Sequence, residues 1–152
     1  MKKLLLPILL LFAIQLSAQK PAVFLELGGS GGVGSLNFER SFLTREKVDL
    51  KWRAGFSLFR IDRNTGTSLI FPILAEVLVG EGPHYFEAGI GQTFTVTTEA
   101  SFFLLMPAVA GYRYQPPDKR IFFRASYTPI ISYLLDFQYQ NWGGLSIGYQ
   151  FK

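Results

Sequence analysis

Eight charged side chains recur on one phase of an otherwise apolar, alternating chain: Glu26, Glu39, Lys51, Arg53, Glu76, Glu87, Arg113 and Arg124. They are four acids and four bases, and they come from seven of the strands proposed below. Carboxylates and cations gathered in a space too narrow for bulk water must pair, because an unpartnered buried charge costs several kcal/mol. Equal numbers of the two signs therefore imply an ion-pair network that plugs the interior. The sharper alternative is a gated ion path or a small-ligand site built from the same groups.

Other constellations carry less chemistry. His84 is the only histidine and follows Pro83 in a turn, whereas Ser101 and Ser132 are assigned to the opposite end of the molecule. A Ser-His-acid arrangement requires hydrogen-bond contact, and this spacing does not supply it. One imidazole among scattered carboxylates gives no metal-ligand spacing, and there is no cysteine for a disulfide or a thiolate zinc site. The run Gly28-Gly-Ser-Gly-Gly-Val-Gly34 has the glycine content of a phosphate-cradling loop, but no helical pattern follows it. It reads as a tight hairpin. No catalytic, cofactor-binding or metal site is expected.

The elements that position these residues are strands. The chain has 152 residues with 15 Gly, 15 Phe, 7 Tyr and 8 Pro, which favours one turn-rich β domain. Apolar residues make up 49% and charged residues only 17%, a greasy balance for a soluble surface. The formal charge of +4 falls by two once Lys2 and Lys3 are set aside, and the remaining basic residues form no stripe. A nucleic-acid partner is therefore not expected.

Met1 to Gln19 has two lysines, an apolar stretch from Leu4 to Leu16 and the small residues Ser17 and Ala18. This is the pattern of a cleaved signal peptide over residues 1–18, leaving a barrel domain over 19–152. No later apolar run approaches the roughly 18 residues of a spanning helix. Glycine-rich or charged breaks at 28–32, 43–47, 61–67, 80–83, 97–100, 115–119 and 132–140 leave strands near 22–28, 33–42, 48–60, 68–79, 84–96, 101–114, 120–131 and 141–151. Residues 22–40 could instead form one glycine-kinked strand. With both termini periplasmic, the second, fourth and sixth breaks become periplasmic turns and the other four extracellular loops.

Val48, Leu50, Trp52, Ala54, Phe56 and Leu58 alternate with Asp49, Lys51, Arg53, Gly55 and Ser57, and the strands near 84–96 and 120–131 alternate in the same way. The polar phase is rich in Gly, Ser and Thr, which suits a crowded interior. Outward-phase Phe42, Phe86, Tyr112, Tyr114, Phe123, Tyr149 and Phe151 collect at the expected periplasmic ends, as an interfacial belt requires. The expected fold is an all-β, eight-stranded antiparallel transmembrane barrel of the outer-membrane type. Three features fit it poorly: Gln92 has lipid phase, and Pro72 and Pro107 lie inside strands. Each proline predicts a bulge or a water-satisfied carbonyl.

The last strand carries Leu145, Ile147, Tyr149 and Phe151 on one face and must pair with the first to close the barrel. Its ending on aromatics resembles the C-terminal strand of outer-membrane barrels. With Glu26-Leu-Gly-Gly-Ser-Gly-Gly, Ser35-Leu-Asn-Phe-Glu-Arg40, Gly111-Tyr-Arg-Tyr-Gln-Pro-Pro-Asp118 and Phe123-Arg-Ala-Ser-Tyr-Thr-Pro129, the chain resembles a family of small, largely uncharacterised outer-membrane β-barrel proteins. That resemblance implies a barrel in the outer membrane of a Gram-negative bacterium and brings no catalytic residues. The expected partners are outer-membrane lipid and, during biogenesis, the barrel-assembly machinery. Loop 132–140, with Leu134, Leu135, Phe137 and Tyr139, either lies along the headgroups or offers a contact to another envelope protein. The expected role is structural or adhesive, with a narrow channel or a ligand-binding barrel as the alternative.

Overall fold

The computed structural model describes residues 20–59, 66–99, 101–132 and 137–151. The expected signal peptide, residue 60 of the third strand, most of the 61–67 loop and Lys152 lie outside these residues. Eight strands follow in order: β1 Ala22–Gly28, β2 Gly34–Arg45, β3 Val48–Phe59, β4 Ser68–Glu81, β5 His84–Thr97, β6 Phe102–Tyr114, β7 Ile121–Ser132 and β8 Gln138–Gln150. Every neighbouring pair is antiparallel. β1 also pairs with β8, from Ala22↔Gln150 to Gly28↔Gly144, so the sheet closes into a barrel. Residues 22–40 are thus two strands.

Strand alternation sorts the side chains by face. Leu27, Phe86 and Leu145 on the outside are 70%, 72% and 65% exposed, while Arg53 and Arg113 on the inside are fully buried. Apolar residues outside and charges inside invert a soluble barrel and match one whose exterior is hydrocarbon. The end at which β1 starts and β8 finishes is called the near end below. There β2–β3 and β4–β5 are joined by the two-residue turns Glu46-Lys47 and Gly82-Pro83.

Both prolines sit where a ladder breaks. Pairing of β3 with β4 skips from Ala54↔Ile73 to Ser57↔Ile70, around Pro72. Pairing of β5 with β6 skips from Ile90↔Ala108 to Thr93↔Leu105, around Pro107. Gln92 lies in that second gap, and its side-chain amide donates to the Leu105 carbonyl at 3.3 Å. Its polar group on the lipid face is thus hydrogen-bonded to the backbone beside the break.

The Gly28–Gly34 segment joins β1 to β2 as the expected hairpin, with Leu27↔Gly34 paired and Gly28 N–H donating to the Val33 carbonyl at 2.9 Å. Gly29–Gly31 forms a 3-10 turn that folds into the lumen, with Gly29, Ser30 and Gly31 all buried. Positive φ at Gly28, Gly29 and Gly32 reverses the chain inward, and Gly29 lies so close to the Glu26 carboxylate that a Cβ would collide with it. One expectation needs correction, that for loop 132–140. β7 runs through Ser132 and β8 begins at Gln138, with Ile130↔Gln140, Ile131↔Tyr139 and Ser132↔Gln138 paired. The connecting segment is therefore shorter than expected, and Leu134 and Leu135 lie outside the described residues.

Candidate functional site, the barrel lumen

All eight charges named from the sequence are buried inside the barrel. They fall into two groups. In the first, Arg53 holds three partners: Glu26, the Glu76 carboxylate at 3.3 Å and the Asn37 Oδ1 at 2.9 Å. Arg124 shares Glu76 at 3.2 Å and ties it to Glu87. The second group centres on Glu39, which accepts two hydrogen bonds from the Arg113 guanidinium and one from Lys51 Nζ at 3.0 Å. This bidentate pair joins β2 to β6 straight across the barrel. Such a network is weak evidence of net stabilisation, because desolvating the ions offsets much of their attraction. What it does geometrically is bind the walls together through the space a pore would need.

The rest of the lumen is packed as well. Phe24 and Phe122 meet edge to face with centroids 5.9 Å apart. Arg113 lies over the Phe122 ring at 3.6 Å, and Arg53 and Arg124 lie over Phe24 at 4.8 and 5.2 Å. Above this layer, towards the far end, the Gly29–Gly31 turn crosses the interior. The Ser30 carbonyl accepts from Thr93 Oγ1 of β5 at 3.3 Å, which is the strand opposite β1 in the ring. At the near end the lumen opens into a polar cup of about 330 Å³ that Lys51, Asp49, Tyr85, Gln115 and Gln150 help to line.

Several members escaped the sequence reading. Phe122 shares the phase of Arg124, and Phe24 that of Glu26, so the alternation that placed the charges could have placed the rings. Asn37 and Asp49 are inward by the same count. Asp49 accepts from Ser41 and Thr44 at 2.8 Å each and lies 3.5 Å from Lys51. Arg40 has the opposite phase and pairs across the sheet with Trp52 on the outer face.

Gly148 makes room for Phe122, since a Cβ there would strike the ring. The ring is fixed between Phe24 and Arg113 and cannot swing away. Gly148→Ala is therefore expected to cost on the order of 1–3 kcal/mol, the range for overpacking a filled core. A urea unfolding midpoint equal to that of the wild type would show that the ring yields.

Aromatic residues form the outer belt at the near end. Phe86 and Tyr112 lie 6.0 Å apart, Tyr149 and Phe151 lie 5.3 Å apart, and His84 packs against Tyr112 and Tyr114. His84 bonds the Tyr112 hydroxyl through Nδ1. Phe42 sits at a register shift in β2 between Ser41 and Leu43. A second, unforeseen cluster marks the far end of β7 and β8, where the Tyr127 hydroxyl bonds both Tyr139, at 2.6 Å, and Asn141. Among the described residues, no group of His, Asp and Glu is placed to hold a metal ion.

No protein-family model matches the chain, and no curated protein matches it. Solved structures do. The N-terminal β-barrel domain of OprF from Pseudomonas aeruginosa is 13% identical with a TM-score of 0.58, over 88% of this chain and 96% of the other. Ail, the attachment invasion locus protein of Yersinia pestis, solved in complex with the heparin analogue sucrose octasulfate, is 14% identical with a TM-score of 0.48, over 88% and 97%. Likeness at such identity is likeness of fold. Together with the inverted polarity and the closed β1–β8 ladder, the OprF match makes the chain an eight-stranded antiparallel barrel of the outer-membrane type.

Proposed function

We propose that the chain is a non-enzymatic barrel of the bacterial outer membrane, closed through its centre, with a structural or adhesive role carried by its wall and its far-end rim. The observation that carries this reading is the filled lumen, where Glu39–Arg113 and the Gly29–Gly31 turn both cross from one wall to the opposite one. The short turns at the near end support a periplasmic placement of that end. The far-end cluster of Tyr127, Tyr139 and Asn141, with Trp142 Nε1 donating to Gln140 at 3.3 Å, is uncharged and rich in hydrogen-bonding groups, as contact surfaces are. An enzymatic role finds little support: His84 begins β5 at the near end, and Ser132 ends β7 at the far end.

Reconstituted protein is expected to show no sustained conductance in a planar bilayer. Stable open-channel steps would replace this reading with that of a narrow channel. The membrane placement has its own test. Folded protein should require detergent and migrate faster on a gel before boiling than after, and recovery as a detergent-free soluble monomer would overturn it.

A further inference from the structure

The outer face of the barrel is not uniformly covered. Across β7, β8, β1 and β2 an apolar groove of about 310 Å³ runs between Ile121, Tyr149 and Val23 in one row and Ile147, Leu25 and Leu36 in the next, with Gly148 in its floor. The registers place the first row nearer the near end, since Ile121↔Tyr149↔Val23 are paired across three strands and Ile147↔Leu25↔Leu36 stand two residues further along. The groove therefore runs from the near-end rim towards the middle of the wall.

A cation stands at its mouth. Arg120 immediately precedes β7, and its NH1 donates to the Tyr149 hydroxyl at 2.7 Å with the guanidinium 5.9 Å from that ring. The backbone holds it there too, because Gln150 N–H donates to the Arg120 carbonyl at 2.7 Å. One guanidinium N–H is thus used on a neutral phenol. The remaining donors have no partner among the described residues, in a fork shaped for phosphate. Lys119, exposed and preceding it in the chain, adds a second positive charge to this segment. From rim to wall the order is cation, phenol, then hydrocarbon, which is the order of phosphate, glycerol and acyl chain in a membrane lipid.

We propose that this groove holds one anionic glycerophospholipid of the near-end leaflet, with an acyl chain over Gly148 and the phosphate on Arg120. The proposal rests on the membrane placement above and not on the closed lumen. Because Arg120 is held in position before the lipid arrives, little side-chain freedom remains to be lost on binding.

The test uses the full barrel in a zwitterionic detergent, titrated with phosphatidylglycerol or phosphatidylcholine of identical acyl chains and read by native mass spectrometry. One phosphatidylglycerol should be retained per barrel in preference to phosphatidylcholine. Arg120→Gln should weaken that retention by about tenfold, the scale of one charge-assisted contact, and Arg120→Lys by less. Leu25→Trp, which fills the groove, should weaken retention of the acyl chain whatever the headgroup. Equal retention of both lipids, or an unchanged Arg120→Gln, would mean ordinary annular lipid and overturn the proposal. Displacement of the lipid by inorganic phosphate alone would overturn it as well, since the site would then be one for free anions. Gel mobility before and after boiling separates a folding loss in any variant from a binding loss, and failure of that assay in the wild type would strike the membrane placement instead.

Discussion

Arg124→Ala is expected to lower barrel stability by about 3–5 kcal/mol, the usual cost of stranding a buried charge. Arg124 joins Glu87 through Nε and Glu76 through NH2, and it stacks on Phe24. Glu76 would keep Arg53 after the substitution. Glu87 would lose its one direct ion pair, and its second carboxylate oxygen already has no hydrogen-bond partner among the described residues. A carboxylate would then remain in a closed interior with no direct ion pair and no hydrogen bond among the described residues. The measurement is the urea unfolding midpoint in micelles. Arg124→Ala combined with Glu87→Gln supplies the control, since removing the stranded charge should restore part of the loss. A single variant as stable as the wild type would place Arg124 outside the network. An equal loss in single and double variants would assign the effect to lost packing on Phe24.

The phase of these charges was legible in the sequence, but their pairing was not. A residue's face follows from counting by two along its own strand, so Glu39 and Arg113 could each be placed inside. That they meet across the barrel depends on strand tilt and stagger, which no single strand encodes. Phe24 and Phe122 were missed for a different reason. In a membrane barrel a large apolar residue is assigned to lipid by type, and here the phase had to overrule the type. The glycine run shows the same limit, because its glycines announce a reversal without saying to which side. The inward direction depends on the Glu26 carboxylate beneath Gly29 and on Thr93 of the facing strand. Gln92 looked like an error of phase until Leu105, thirteen residues away and beside the Pro107 break, supplied the carbonyl that its amide covers.

Truncation after Gly144 should abolish the barrel. The deletion removes the β8 side of every β1–β8 pair from Ala22↔Gln150 to Leu27↔Leu145 and leaves only Gly28↔Gly144. It also removes the partners of β7 from Ile121 to Ala125. Two ladders of backbone donors and acceptors would face hydrocarbon, where each unsatisfied group costs several kcal/mol. No plausible gain elsewhere offsets a sum of that size against a folding free energy of about 5–15 kcal/mol. Phe151→Ala should do much less. The Phe151 N–H still donates to the Pro21 carbonyl at 2.9 Å, so the ladder survives and only the ring packed on Tyr149 is lost. Reduced assembly with a native fold in the assembled fraction is the expected result, and deletion of Lys152 should change nothing. The comparison is the fraction of membrane-inserted, heat-modifiable protein in the wild type and the three variants. If the truncated chain inserted as well as the wild type, β1 and β7 would have to close on each other. Phe122 would then lose Gly148 beneath it, and the lumen described here could not keep its packing.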